Sequence, residues 1–413
     1  MYRTVASCTK WTSAPRELPT SGFDLIDPSL EIEEETLPTY EPEKYYPVKL
    51  GEVLCNRYQI LAKLGYGVTS TVWFGRDLGV QKYVVLKLYV TGHRRNHELR
   101  VYERMNSVQT NHPGTRFIRK LFDHFSVEGP HGLHTCLVLE PLGISASDLM
   151  KYIPGQAMTL EDLKPCIRQL LIVLDFLHSL SQVVHTGDLQ LKNLLLPTPE
   201  QKALLDFEER ESEALPARKL LKDRTIYTCS RFPLSNGIPL LSDFGEARFG
   251  DEEHNEDIMP NVYRAPEVIL KMNWDYKVDI WSVAMVAWDI VSPHTLFDGK
   301  NRDGIFDDRV HLAELVALIG PPPPEFREMS KLSSIFWDED GNWKELAPVP
   351  DITLESLAAN ISGEDKDGFL RWLRAALKWN PEDRPTATEL LYDEWMMKGL
   401  KLRKTEGSGE QGS

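Results

Sequence analysis

His185-Thr186-Gly187-Asp188-Leu189-Gln190-Leu191-Lys192-Asn193 is the stretch from which the chain is read. It follows a strongly periodic apolar segment and opens a run of leucines. An Asp with an Asn five residues later suits phosphoryl transfer: the carboxylate orients a hydroxyl proton and the amide holds a divalent cation. Downstream, Leu241-Ser242-Asp243-Phe244-Gly245 offers a second carboxylate for the same cation. Upstream lies Leu64-Gly65-Tyr66-Gly67-Val68-Thr69-Ser70-Thr71-Val72, and then Lys87. The ordered series of glycine loop, lysine, Asp…Asn and Asp-Phe-Gly says more than any single piece of it.

Tyr58-Gln59-Ile60-Leu61 and Thr71-Val72-Trp73-Phe74 are strand-like, and Gly65-Tyr66-Gly67 turns between them. Glycine there lets backbone N–H groups approach phosphate oxygens that a side chain would fend off. The next strand, Tyr83-Val84-Val85-Leu86-Lys87-Leu88, places a lysine among valines, where it is costly unless a carboxylate meets it. Residues 96–108 carry Leu99, Tyr102 and Met105 at three-residue steps, a helical period. Glu98 and Glu103 are its candidate partners for Lys87, with Glu98, at the front of the helix, preferred. Leu137-Val138-Leu139-Glu140-Pro141-Leu142-Gly143 reads as a strand running into a linker. Thr159-Leu160-Glu161-Asp162 starts a helix whose apolar face is Leu163, Ile167, Leu170, Leu171, Leu174 and Leu177.

The chain has 413 residues, 42% of them hydrophobic, enough for two lobes and a substantial core. Its net charge of −15 argues against a nucleic-acid surface and favours basic partners over acidic ones, although solubility alone also accounts for it. Five scattered cysteines (Cys8, Cys55, Cys136, Cys166, Cys229) have no metal-ligand spacing, which predicts reduced thiols in an intracellular protein, in cytoplasm or nucleus. No apolar run approaches the roughly 18 residues of a membrane span. Residues 1–45 lack a sustained apolar period and are acid-rich from Asp24 to Glu43, so they read as a flexible leader; the first 16 carry three cations and no acid, a faint transit-peptide character.

Residues 197–239 break the pattern with Asp206-Phe207-Glu208-Glu209-Arg210-Glu211 and a basic Arg218-Lys219…Lys222. From Asn193 to Asp243 is too long for a plain connection, and the reading is a surface insertion, partly helical or disordered. Residues 277–291 are apolar nearly all round and belong in the middle of a domain. Pro321-Pro322-Pro323-Pro324 ends the next helix, a loop-rich stretch runs to about Asp365, residues 369–378 and 386–397 form closing helices, and 401–413 are a polar tail.

Residues 46–397 resemble a protein kinase, and most nearly a serine/arginine-rich-protein (SR-protein) kinase. That resemblance rests on Tyr46-Pro47-Val48-Lys49-Leu50-Gly51 ahead of Arg57-Tyr58, on the Ser70-Thr71-Val72-Trp73 ending of the glycine loop, on His185-Thr186 in place of His-Arg, and on an insertion just after the loop. It implies an α+β, two-lobed fold, with a β-rich N-lobe (46–143) and a helical C-lobe (144–400, insertion about 197–239). It implies ATP between the lobes and Mg²⁺ on Asn193 and Asp243. Leu64, Gly65, Tyr66, Gly67, Val72 and Lys87 would hold the nucleotide, with the Glu140 carbonyl and Leu142 amide against the adenine and Leu139 as gatekeeper. Lys87 with Glu98, Asp188 and Lys192 would form the catalytic set, Glu267 would pair with Arg384, and Asp279 would hold the catalytic-loop backbone. The expected substrate is serine in basic, Arg/Ser-rich proteins, bound by a monomer with no nucleic-acid or membrane partner.

Three departures qualify the pattern. Gly187 is an extra residue before the Asp, Gln190 stands where such enzymes carry a lysine, and Val85 replaces a small alanine beside Lys87. Lys192, four after Asp188, can stand in for the missing cation. Between Asp243 and Val262 there is no Ser, Thr or Tyr, and the Arg that would hold a phosphate is absent too, so this loop is expected not to be switched by phosphorylation. It carries Asp251-Glu252-Glu253-His254-Asn255-Glu256-Asp257, which can attract basic substrates or simply face water. Three alternative readings stand beside the kinase: a nucleotide-binding pseudokinase scaffold, motivated by Gly187 and Gln190; a small-molecule phosphotransferase, motivated by Gly187-Asp188-Leu189; and a purely structural interaction domain, motivated by the acidic charge alone.

Overall fold

A computed structural model describes residues 11–92, 97–186 and 188–400. The Gly187 insertion, the first ten residues with their transit-like character, and the 401–413 tail lie outside the described residues. The chain divides into two compact units, one formed by residues up to Pro154 with Phe176–Glu252, the other by Gly155–Asp175 with the residues from Glu253 onward.

The first unit is built on a six-stranded antiparallel sheet in the order β1-β2-β3-β4-β6-β5. The strands are β1 Val53–Leu54, β2 Tyr58–Tyr66, β3 Ser70–Asp77, β4 Lys82–Tyr89, β5 Leu121–Gly129 and β6 Gly132–Leu139. β2 and β3 are joined by the glycine turn, and the register slips between Lys63 and Gly65, so the ladder is irregular where the glycines begin. Lys87 on β4 sits opposite Leu137 on β6 and Val72 on β3, which fixes it in mid-sheet. Helix α1, His97–Ser107, follows β4 and buries Glu98, Leu99, Val101, Tyr102 and Met105.

After β6 the chain passes through α2, Ala146–Met150, into α3, Leu160–Asp175, which belongs to the second unit. A π-helical turn, Phe176–Ser181, returns it to the first unit, followed by β7 Val183–Val184 and β8 Leu194–Leu195. Then come α4 Gln201–Glu213, β9 Arg218–Leu220, β10 Thr225–Tyr227, β11 Leu240–Leu241 and β12 Arg248–Phe249. The pairings β8–β11 and β7–β12 bring the 185–193 loop beside the 241–249 segment.

Two expectations are corrected here. The insertion is partly helical, as read, but it is ordered and is not a surface appendage. Leu204 and Phe207 of α4 enter a core with Leu61, Ala62, Phe74 and Tyr83 of the sheet. Phe207 meets Phe74 edge-on at 5.1 Å, and Tyr227 of β10 joins the cluster on Trp73 and Leu86. The residues of the leader that are described, 11–45, are not flexible either. Thr12 N donates to Leu78 O at 2.9 Å, the Arg16 backbone exchanges two bonds with the Gln59 side chain, and Ile26 N donates to Arg218 O at 2.9 Å. The cause is electrostatic. Lys63 and Lys219 are both buried and need counter-ions, which the acidic turn Glu33–Thr36 supplies. Lys63 Nζ pairs with Glu34, Lys219 Nζ lies 2.7 Å from Glu35 Oε1, and Cys229 N donates to Glu33 Oε1 at 3.0 Å.

The second unit is helical. Helix α3 is capped as its sequence suggests, with Asp162 N donating to Thr159 Oγ1 at 3.2 Å, and it buries Leu163, Ile167, Leu170, Leu171 and Leu174. A short α5, Pro266–Ile269, precedes α6, Lys277–Val291, in which every residue but Asp289 is buried. Helix α7, Asp308–Ile319, ends at Gly320, whose φ of 81° lets the chain turn into the proline run. The stretch expected to be loop-rich carries short helices at Pro324–Glu328, Ser333–Phe336 and Leu354–Leu357. The closing helices are Lys366–Ala376, Ala387–Leu391 and Glu394–Met397; the last two, expected as one, are separated where Asp393 caps a new start by accepting from Trp395 N at 2.8 Å. Arg384 and Glu267 form a two-pronged pair with both contacts at 2.6 Å, in full burial.

Candidate active site

The first unit holds a cleft of about 1060 Å³ lined by residues from many parts of the chain. Leu64, Gly65 and Tyr66 come from the end of β2 and Val72 from the start of β3, Lys87 from β4, Leu139 from the end of β6 and Leu142 from the linker beyond it, and Asn193 and Asp243 from the paired 185–193 and 241–249 segments. Thus most residues singled out in the sequence converge. Gly67, Glu140 and Asp188 do not line the cleft.

Lys87 organises one end. Its Nζ lies 2.9 Å from Glu98 Oε2 and 3.0 Å from Asp243 Oδ1. Of the two acids α1 offered, Glu98 is taken, and Glu103 is exposed. Burial by itself would push the Lys87 ammonium down, but the Asp243 and Glu98 carboxylates outweigh it and hold it well above an ordinary lysine. Burial likewise works against the Asp243 carboxylate, and Lys87 overrides it, pulling the group down to about 2. Both side chains are therefore charged at neutral pH. Glu98 is saturated: Tyr89 OH donates to its Oε2 and Phe244 N to its Oε1 at 3.1 Å. Tyr89 follows Lys87 by two residues, so both point to the same face of the strand; that spacing was a readable signal not used above. Phe244 is fully buried, with Tyr102 at 5.4 Å and His185 at 5.1 Å from its ring.

Asp188 is fixed by its own loop. Asn193 Nδ2 donates to both the carbonyl and Oδ2 of Asp188 at 2.7 Å, Gln190 Nε2 donates to Oδ1 at 2.5 Å, and Lys192 Nζ is 3.3 Å from Oδ1. Lys192 is thus close enough to serve as the local cation, although more than half of its side chain is exposed. Asn193 spends its amide N–H groups on Asp188, which leaves its side-chain oxygen as the atom that could ligate a cation. Asp243 adopts a left-handed backbone (φ 59°) and uses Oδ1 for Lys87 and for Gly245 N at 3.1 Å.

These donors suit a hard cation. One carboxylate oxygen and one amide oxygen are the ligand types Mg²⁺ prefers when substrate phosphates complete its shell. Among the described residues no three His, Cys, Asp or Glu side chains are grouped so as to hold a metal ion.

At the opposite end the linker's polar groups have partners within the protein. Leu142 N donates to Glu140 O at 2.9 Å, and Arg119 Nε donates to the same carbonyl at 2.9 Å. The two backbone groups expected to meet a base are engaged with each other, so a base binding there has to displace that bond. Arg119, which lines the cleft, gave no signal in sequence, and neither did Ser230, Arg231, Phe232 and Leu234 of the insertion, which line it too. Val85, buried at 1% exposure, forms part of the apolar wall. Asp279 is fully buried on α6.

Comparison with known proteins agrees with this architecture. The protein kinase domain family profile matches residues 234–396. A serine/threonine protein kinase of Aspergillus fumigatus is 41% identical over 390 residues, covering 93% of this chain and 96% of the relative. More distant relatives are the serine/threonine-protein kinase SRPK of Physarum polycephalum, 29% identical and covering 90% and 92% of the two chains, and SRSF protein kinase 3 of Mus musculus, 23% identical and covering 85% and 88%. A crystal structure of a kinase domain superposes with a TM-score of 0.65 at 22% identity, covering 86% of this chain and 100% of the other, which speaks to the fold alone. The chain belongs to the protein kinase family and is a serine/threonine protein kinase.

Proposed function

We propose that the cleft binds ATP with Mg²⁺ and that the chain transfers the γ-phosphoryl group to serine in basic, Arg/Ser-rich proteins. The observation that carries the nucleotide reading is the Lys87–Glu98–Asp243 cluster, a buried cation held between two carboxylates at 2.9 and 3.0 Å. Lys87 is poised to meet the α- and β-phosphate oxygens, Asp188 to orient the serine hydroxyl, and Lys192 to steady the γ-phosphoryl group. Mg²⁺, when bound through Asn193 and Asp243, neutralises charge on the triphosphate. Positioning and electrostatics then supply the rate, on the order of 1–100 per second in such enzymes.

The substrate class is supported by the names of the Physarum and mouse relatives and by the −15 net charge. The acidic 251–257 run supports it less than its sequence promised. Asp251 is paired with Arg104 at 2.7 Å and Asp257 with Lys271, which leaves Glu252 and Glu253 as the strongest candidates for attracting a basic peptide. Radiolabelled phosphate transfer to an Arg/Ser peptide, with Asp188→Ala as the control, tests the reading. Equal labelling of an acidic peptide would refute the substrate class, and labelling by the control would refute the role of Asp188.

We also propose that activity does not await phosphorylation of the 243–262 loop. Its first half is already fastened to α1: His97 Nε2 bonds Ala247 O, Arg104 pairs with Asp251, and the Arg100 and Arg104 guanidinium groups lie 5.2 and 5.5 Å from the Phe249 ring centre. Cation–π and charge contacts thereby do the ordering that a phosphate would otherwise do. Phosphatase-treated enzyme is expected to keep its full rate. No helix among the described residues is long and apolar enough to cross a membrane; we place the protein in cytoplasm or nucleus on the strength of its scattered cysteines, and propose that it acts as a monomer.

A further inference from the structure

We infer that residues 230–235 of the insertion form a strap across the sugar-and-base end of the nucleotide cleft and select against nucleotides enlarged at that end. The inference rests on the ATP reading above and deepens it. The two ends of the cleft differ in chemistry. Lys87, Asn193 and Asp243 make one end ionic, and Leu64, Val72, Val85, Leu139, Leu142 and Leu195 make the other apolar. A triphosphate drawn to Lys87 leaves its sugar and base at the apolar end.

The strap stands at that apolar end and is anchored on both sides of it. At its start Ser230 N donates to Lys63 O at 2.8 Å, directly beside Leu64, and Ser230 Oγ bonds the Glu211 carboxylate of α4. Arg210 Nη2 holds Arg231 O at 3.3 Å. Phe232 is clamped between Phe74 (5.5 Å) and Phe207 (5.2 Å), so the middle is packed rather than loose. At its far end Ser235 Oγ donates to Pro197 O at 2.6 Å. There it passes so close to the linker that a Cβ on Gly143 would lie 2.4 Å from Ser235 Oγ. Glycine at 143 leaves room for that hydroxyl. Leu234, between the two anchors, lines the cleft with 61% of its surface exposed, so it faces the opening with no protein covering it. A wall tied to β2 on one side and to Pro197, just after β8, on the other cannot swing aside for a larger ligand without breaking those bonds.

The test compares ATP with its 2′/3′-O-(N-methylanthraniloyl) derivative by titration calorimetry with Mg²⁺, in the full chain. The wild type should bind the derivative at least about tenfold more weakly than ATP, the scale of discrimination one misfitting group produces in an apolar pocket. Leu234→Ala, at an exposed position that folding tolerates, should bring that ratio several-fold closer to one, and Leu234→Trp should widen it. Ser235→Ala, which removes the bond to Pro197 at the strap's far end, should also bring the ratio closer to one. If ATP binds and the ratio stays the same in all three variants, or if the wild type binds both nucleotides equally, the strap has no selective role and the inference falls alone. If the wild type binds neither nucleotide, the ATP reading falls and the inference with it.

Discussion

Replacing Glu34 with alanine strips the Lys63 ammonium of its nearest counter-ion. Lys63 has no exposed side-chain surface and Glu34 only 7%, so water cannot take the carboxylate's place. Removing one partner of such a buried pair costs about 3–5 kcal/mol, because the remaining charge is left uncompensated. Two contacts soften the loss here. Lys63 Nζ keeps Tyr227 O at 3.0 Å, and Glu33 Oε2 stands 3.8 Å away. A charge at that distance recovers a substantial part of the attraction, up to about 4 kcal/mol at an effective dielectric constant near 20, before its own desolvation is counted. Glu34→Ala alone should therefore destabilise by about 2 kcal/mol, and Glu33→Ala with Glu34→Ala by about 3–5 kcal/mol. Adding Lys63→Met to the double variant should restore most of the loss, since an apolar side chain of similar length removes the orphaned charge.

Because the two units need not unfold together, a single melting temperature is a poor readout. Amide exchange at residues 58–66 and 225–230 reports the first unit directly, since Glu33 and Glu34 join β2 to the end of the insertion there. Exchange in these segments should quicken in the double variant and slow again with Lys63→Met. If the double variant costs less than about 1 kcal/mol, or if Lys63→Met fails to rescue it, the leader does not serve as the counter-ion for a buried lysine, and the electrostatic account of its docking is wrong.

Phe207→Ala should destabilise the first unit by about 3 kcal/mol, as truncation of a fully buried aromatic does, and amide exchange at residues 70–77 under rising denaturant checks it. Asp243→Asn and Lys87→Met should each reduce phosphate transfer by at least about a thousandfold, in keeping with loss of an electrostatic contact to the transferring group, while circular dichroism stays unchanged. Burial raises the Asp289 carboxyl from 3.8 to about 6, so its neutral form is the one the fold prefers. That contribution is complete below about pH 4 and is lost as pH rises through about 6, a change of about 3 kcal/mol. Asp289→Asn should flatten the stability profile over this window and leave it unchanged below, as measured by urea unfolding at pH 4, 6 and 8.

What could be read from the residues was whatever one segment determines by itself. The order of Gly65, Lys87, Asp188, Asn193 and Asp243 states a chemistry, and the spacing of Leu163, Ile167, Leu170, Leu171 and Leu174 states a helix face. Glu98 could be preferred to Glu103 because helix geometry puts it at the front. The insertion and the leader were misread for a common reason: their burial is contributed by partners far away in sequence. Leu204 and Phe207 are spaced as a helix face, but among the acids at 206–211 they look like a solvated helix until Phe74 and Tyr83 are known to cover them. Glu33-Glu34-Glu35 looks like a disordered acidic run until Lys63 and Lys219 are known to be buried beneath it. A run of carboxylates and an isolated lysine in a strand of apolar residues are complementary anomalies, each costly alone. Had they been weighed together, Lys63 within Ile60-Leu61-Ala62-Lys63-Leu64 would have demanded an acid as firmly as Lys87 did, and the leader was the largest unspent supply of them.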